Sequence, residues 1–259
     1  MKKVLFGLLA LSTMAMASET NLYLRAGGDF LGKYDVIEEG NLKANSDEVD
    51  NFSWEVAIEA TKEVYPKVEL GLGLAYQKHG DAKSVFNHEE YGKGEYDDTT
   101  LEMPGYTSIP LYLIAKYNFN AINNFVPYVK ANLGYSFNSD DGNLKGHGII
   151  VEPSSPVDEW VDEANVKIDD GLYYGLGAGF EYNNFTMDLM YQVNLAEAEI
   201  DLGDEKIKKD YDYSRVTLSN LISNKSALGV ALSGYTFYFF LNKKDWLLNK
   251  LEINPYYFY

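Results

Sequence analysis

The chain has 259 residues, 39 acidic against 22 basic, a formal charge of −17, no cysteine, 15% aromatics and 22 each of glycine and tyrosine. High aromatic content with only 7 prolines argues against disorder, so a packed or membrane-embedded fold is expected. The acidity excludes nucleic acid as a partner, because no basic cluster offsets phosphate repulsion, and the missing cysteine excludes disulfides, thiolate metal sites and a catalytic thiol.

The first element in the chain is an export signal. Met1 to Ser18 reads MKKVLFGLLALSTMAMAS, with Lys2 and Lys3 as a positive start, Val4 to Met14 as an apolar centre and Ala15-Met16-Ala17 as a small-x-small cleavage site. A bacterial secretory signal peptide over residues 1–17 is predicted. Its uncharged run, Val4 to Ser18, is 15 residues, short of the ~20 that span a bilayer as a helix. The longest later uncharged run, Ser226 to Asn242, carries Ser, Gly, Thr, Tyr and Asn, so helical spanning is not expected.

Beyond the signal the chain alternates with period two. A first strand sets Leu22, Leu24 and Ala26 against Tyr23, Arg25 and Gly27. The stretch from Asn51 sets Phe52, Trp54, Val56, Ile58 and Ala60 against Ser53, Glu55, Ala57, Glu59 and Thr61. After the turn Tyr65-Pro66-Lys67, Val68, Leu70, Leu72, Leu74 and Tyr76 oppose Glu69, Gly71, Gly73, Ala75 and Gln77. A second hairpin pairs 108–119 with 127–136, and a third pairs 172–182 with 185–194 through Asn183-Asn184. The eighth strand sets Ser214, Val216 and Leu218 against Tyr213, Arg215, Thr217 and Ser219.

Connection lengths sort these strands. Short turns near 62–66, 120–124 and 183–184 alternate with long polar segments at 32–50, 78–105, 138–170 and 197–212. Antiparallel strands of about ten residues, crossing a bilayer with short periplasmic turns and long outside loops, give this arrangement. The fold class is therefore all-β, a transmembrane antiparallel up-and-down barrel. A lipocalin-like barrel would reverse the faces, but Gly71, Gly73, Gly175, Gly177 and Gly179 crowd the polar face, where a narrow lumen needs small residues.

The stretches IPLYLIAKYNF (109–119), FVPYVKANLGYSF (125–137), GLYYGLGAGFEYNNFTMDLMYQVN (171–194) and YDYSRVTLS (211–219) resemble the small outer-membrane β-barrel family of OmpA-, OmpX-, OmpW- and opacity-type proteins. The resemblance implies a Gram-negative outer-membrane location, lipid and lipopolysaccharide surroundings, delivery by the barrel assembly machinery, and a role as adhesin, anchor or narrow channel. It also implies a terminal strand ending Gly-Tyr-x-aromatic. This chain departs from that pattern, because 40 residues come after Ser219, with Ser233-Gly234-Tyr235-Thr236-Phe237 among them. The expected division is a signal peptide at 1–17, a barrel at 18–219 and an extension at 220–259. The extension is either a periplasmic tail or strands nine and ten at 226–240 and 251–259; a third register makes 226–237 the last of eight strands. Eight strands ending near Ser219 are favoured, since both faces of the extension are apolar.

The inward faces place Glu55, Glu59, Glu69, Glu181 and Asp188 beside Arg25, Lys116, Lys130 and Arg215 in an interior just wide enough for side chains. Buried charges persist only when partnered, so a plugging salt-bridge network is expected. The alternative is a narrow OmpW-like conduit for small or apolar solutes, with Arg25, Lys130 or Arg215 as its constriction. Catalysis, cofactors and a structured metal site are not expected. His79, His88 and His147 fall at the rim or in outside loops, His79 with Asp81 is the one suggestive pair, and Asp140-Asp141-Gly142 lacks the spacing of a calcium loop.

Function is then expected in the loops. Tyr34, Phe86, Tyr91, Tyr96, Trp160 and Tyr211 are candidate anchors for a host or cell-surface ligand, or they cover the barrel mouth against lipopolysaccharide. The four long segments hold 29 acids and 10 bases, which leaves the barrel close to neutral and makes the outside the acidic part. That charge favours cationic partners or divalent bridges to lipopolysaccharide.

Overall fold

The computed structural model describes residues 20–224, apart from 41, 141, 154, 184, 204 and 205. The expected signal peptide and the stretches 226–240 and 251–259 lie outside the described residues. Eight long strands form the body: β1 (Thr20–Asp29), β2 (Trp54–Tyr65), β3 (Val68–Lys78), β4 (Tyr106–Asn118), β5 (Phe125–Asp140), β6 (Gly171–Tyr182), β7 (Phe185–Asn194) and β8 (Tyr213–Asn224). Each pairs antiparallel with its sequence neighbour, and β1 pairs with β8 from Leu22 opposite Asn224 to Asp29 opposite Thr217. Every strand therefore has a partner on both sides, and the barrel closes at eight.

The eighth strand is Tyr213–Asn224 rather than 226–237, and the further strands offered at 226–240 and 251–259 fall outside the described residues. The eighth strand also runs five residues past the expected boundary at Ser219.

Alternation sets what each face meets. Leu24, Ile58, Leu70, Leu113, Leu133, Leu176, Leu189 and Leu218 point outward and are exposed, as a lipid-facing band requires, whereas Arg25, Glu59, Lys116, Lys130, Asn132 and Asp188 are buried inside. Two lumenal glycines make room for rings. A Cβ on Gly73 would lie 2.3 Å from the Tyr112 ring, and one on Gly179 would lie 2.6 Å from the Tyr128 hydroxyl. The three short turns use left-handed residues at Lys67, Asn123 and Asn183.

The long connections are not irregular loops. Three of them form hairpins, Val85–Gly92 with Glu95–Glu102, Asn143–Val151 with Asp158–Ile168, and Glu197–Asp201 with Lys206–Asp210. Pairing between hairpins joins them into one six-stranded antiparallel sheet that continues the wall beyond the barrel. The remaining connection, between β1 and β2, lies against this sheet. Its Tyr34, Ile37 and Ala44 pack with Ala82, Leu101, Met103, Tyr106, Val166, Ile168, Ala198, Ile200, Tyr211 and Tyr213 in an apolar core over the barrel mouth. Among the described residues no helix is long and apolar enough to cross a membrane, which leaves strand crossing unaffected.

Candidate functional site

The lumen is filled in three tiers, each built where neighbouring strands bring inward positions to one height. At the periplasmic end the Lys116 ammonium lies between Glu181 and Glu69, 3.4 Å from the latter, and Asn118 Nδ2 donates to Glu69 Oε1 at 2.6 Å. In the middle Arg25 Nη1 donates to Glu59 Oε1 at 2.7 Å and Arg25 Nη2 lies 3.2 Å from Asp188 Oδ2. Lys130 bridges the same two carboxylates at 3.1 and 2.9 Å. The Tyr112 hydroxyl donates to Glu59 at 2.8 Å and the Tyr128 hydroxyl to Asp188.

The extracellular tier centres on Arg215. Its Nη1 and Nη2 donate to Asn194 at 2.6 Å and Gln192 at 2.7 Å, while Asp29 and Glu55 lie at 3.4 and 3.5 Å. Glu55 also accepts from Gln77 at 3.1 Å. Of the nine charged residues expected in the lumen, Arg25, Glu55, Glu59, Lys130, Asp188 and Arg215 are joined by ion pairs, and Lys116, Glu69 and Glu181 form a second group that meets the first through the Lys116 ammonium, 4.5 Å from the centre of the Tyr128 ring. Asp29, Gln77, Tyr112, Tyr128, Gln192 and Asn194 join them, and sequence reasoning misses their part in the lumen. Asp29 is within its reach, because Tyr23, Arg25, Gly27 and Asp29 share one strand face. A cavity of about 10 Å³ beside Lys116, Lys130 and Asp188 has room for about one water.

Above these tiers stands an aromatic cluster. Tyr34 stacks on Tyr211 with centroids 4.5 Å apart and packs at 4.8 Å against Tyr213. Their hydroxyls are used internally, Tyr34 donating to the Gly80 carbonyl at 2.8 Å, Tyr211 to the Pro104 carbonyl at 3.0 Å and Tyr213 to Ser53 at 2.8 Å. Burial pushes the Tyr34 and Tyr211 hydroxyls well above their ordinary pKa. These two tyrosines, expected as surface anchors, are instead buried core of the cap: their rings have partners on several elements, which sequence spacing does not reveal.

His79 belongs to the same cluster. It is 1% exposed, with its ring 4.3 Å from Tyr213 and 4.7 Å from Tyr106, and Nε2 lies 2.9 Å from Ser108 Oγ. Asp81 does not pair with it, since its carboxylate accepts from Gly105 N and Asn51 Nδ2, both at 2.8 Å. The expected solvated rim histidine is therefore a buried one, its imidazole held well below the usual value by burial and by the nearby Arg215 and Lys78. His88 is exposed and pairs with Asp98 at 2.6 Å.

The outer sheet carries the other expected anchors. Phe86 and Tyr91 are 63% and 58% exposed, Tyr96 lies half-buried beside His88, and the Trp160 ring lies across Gly146 and Gly148 on the inner face. Register places Phe86, Thr100, His147 and Val161 in one row on the outer face, with Val161 81% exposed. The residues 85–102 and 143–163 hold 11 acids and two lysines, Lys93 and Lys145. Nearer the membrane charges balance in pairs. Lys208 reaches Glu197 at 2.8 Å and Asp169 at 3.0 Å, and these hydrogen bonds raise its pKa. Lys33 and Asp47, 2.6 Å apart, shift each other up and down respectively. The side chains of Asp140 and Asp141 lie outside the described ones. Among the described residues no three His, Asp or Glu side chains converge to hold a metal ion.

Comparison with known proteins agrees with this architecture. The family model for the outer membrane protein beta-barrel domain matches residues 4–232. The uncharacterized protein PM1543 of Pasteurella multocida strain Pm70 is 28% identical over 203 residues, 74% of this chain and 84% of that protein. Among solved structures, Neisserial surface protein A is 13% identical with a TM-score of 0.35, covering 79% of this chain and 97% of its own. Ail, the attachment invasion locus protein of Yersinia pestis, is 13% identical with a TM-score of 0.34 in its complex with the heparin analogue sucrose octasulfate, covering 79% and 97%. The chain therefore belongs to the outer membrane protein β-barrel domain family, and its place is the outer membrane.

Proposed function

We propose that this protein is a closed outer-membrane barrel that displays a folded acidic β-sheet for contact with a partner outside the cell. The observation that carries this reading is the lumen: interlocked charges fill it and an apolar cap covers its mouth. A wall continued upward by six strands, over a filled lumen, is suited to presentation rather than transport. The partner chemistry comes from charge and exposure together. An outer face with Phe86 and Val161 at its centre and 11 acids against two lysines over its hairpins suits a host or cell-surface protein with a basic, apolar-centred surface. Lipopolysaccharide, lipid and the barrel assembly machinery are the partners proposed for the barrel itself. The narrow conduit raised by the sequence finds less support, because Arg25, Lys130 and Arg215 are each tied to carboxylates or amides rather than lining an opening.

The test replaces 143–168 by a short turn and measures binding of cells displaying the protein to immobilised polylysine and to host-cell monolayers. Loss of binding by the shortened protein, with wild-type binding weakened by salt, is the expected outcome. Equal binding by both proteins would end the reading.

A further inference from the structure

We infer that His79 is an acid-released latch, holding the extracellular cap on the barrel mouth while neutral and freeing it when protonated. The hydrogen-bond chain around it fixes which nitrogen carries the proton. Asn138 Nδ2 donates to the Asp169 carbonyl at 2.9 Å, so Asn138 Oδ1 is the acceptor. The Ser108 hydroxyl donates to that oxygen at 2.8 Å. Ser108 has one proton and has used it, hence His79 Nε2 donates to Ser108 Oγ at 2.9 Å. The bare lone pair is then on Nδ1, a buried atom with no hydrogen-bond partner.

A second proton has to go to Nδ1, and the N–H so formed finds no acceptor there. From β4 the ring faces Tyr106 and Ser108; from β8 it faces Tyr213, with the Arg215 guanidinium 5.6 Å from that ring. Its own segment adds Lys78 and Asp81, and the connection between β1 and β2 adds the Tyr34 hydroxyl on the Gly80 carbonyl. The surrounding carboxylates are engaged: Asp81 with Gly105 and Asn51, Asp29 with Thr217 and Arg215, Asp212 with the Ala196 amide. An imidazolium here is a buried charge without a counterion, next to an arginine.

Relief comes from moving the cap. Tyr34 closes the cluster from above, packed against the Tyr213 ring of β8, and the 33–50 segment is held by the pairing of Lys33 and Tyr34 with Ser214 and Tyr213, by Asp35 N on the Asp212 carbonyl, and by Asp50 N, Lys83 N and Ser46 N on the Asp81, Glu48 and Lys83 carbonyls. Lifting it breaks these contacts, opens the cluster to water and leaves the eight barrel strands paired with one another. Burial lowers the affinity of His79 for a proton when the cap is closed, whereas an open cap gives a histidine near its ordinary pKa of about 6.5. The open-to-closed ratio is therefore flat above about pH 6.5 and rises up to about tenfold per pH unit below it.

Hydrogen exchange on the full chain in lipid nanodiscs, corrected for the intrinsic pH dependence of amide exchange, tests the latch. Between about pH 7.5 and about pH 5, protection of peptides covering 33–50 and 79–84 is expected to fall about tenfold or more, with 125–140 unchanged. His79→Gln, which keeps a donor for Ser108 and cannot charge, is expected to abolish the change. A wild-type cap indifferent to pH, or a His79→Gln cap with the same response, overturns the inference. Exchange of the imidazole C2 hydrogens in the wild type gives a reading that needs no variant. His79 is expected to titrate below the ordinary imidazole value of about 6.5, and a midpoint at or above that value contradicts the latch.

Discussion

At the scale of single residues, the lumen shows how a narrow barrel tolerates many charges. Each is within reach of an opposite charge or an amide, and the middle tier has two bases, Arg25 and Lys130, for two acids, Glu59 and Asp188. Removing one partner leaves the others buried without compensation. Asp188→Asn is expected to destabilise the folded barrel by about 3–5 kcal/mol, seen as a lower midpoint in urea unfolding in detergent micelles. Adding Lys130→Gln should recover part of that loss, since the pair then leaves together. Independence of the two substitutions would mean that the tier is not a network. The charged inward positions are legible in the sequence because period two puts alternate residues of one strand on one face. Glutamine, asparagine and tyrosine members such as Gln192, Asn194 and Tyr128 are less legible, because neutral side chains on a polar face do not announce which charge they serve.

Among elements, the division is between the wall and its cap. Strand alternation and turn residues make the wall readable from local sequence, down to Lys67, Asn123 and Asn183 at the turns. The cap is not readable that way. Leu101, Ile168, Ala198 and Tyr211 come from three different connections, and hairpins such as 85–92 with 95–102 carry polar residues on both faces. Their sheet is defined by pairings between hairpins, Gly148 opposite Thr99 or Ile168 opposite Ala198, that no single segment encodes. Tyr34 is the hinge of the cap, with three tyrosine neighbours and a hydroxyl bond to Gly80. Tyr34→Ala should cost the cap about 3 kcal/mol, enough to raise the proteolysis rate of the 33–50 segment by about two orders of magnitude while the barrel stays heat-modifiable. An unchanged cleavage rate would show that the apolar core does not hold that segment.

For the whole molecule, charge and closure point the same way. The acids concentrate on the part beyond the barrel, the lumen charges are turned on one another, and the outer band is apolar. The proposed function follows from this division: polar chemistry locked inside or displayed outside, with no route between the two faces of the membrane. Single-channel recording of the folded, heat-modifiable protein in a planar lipid bilayer at neutral pH tests that claim most directly. The closed barrel predicts a silent membrane, without reproducible steps above the baseline; large, regular conductance steps that scale with salt would contradict it.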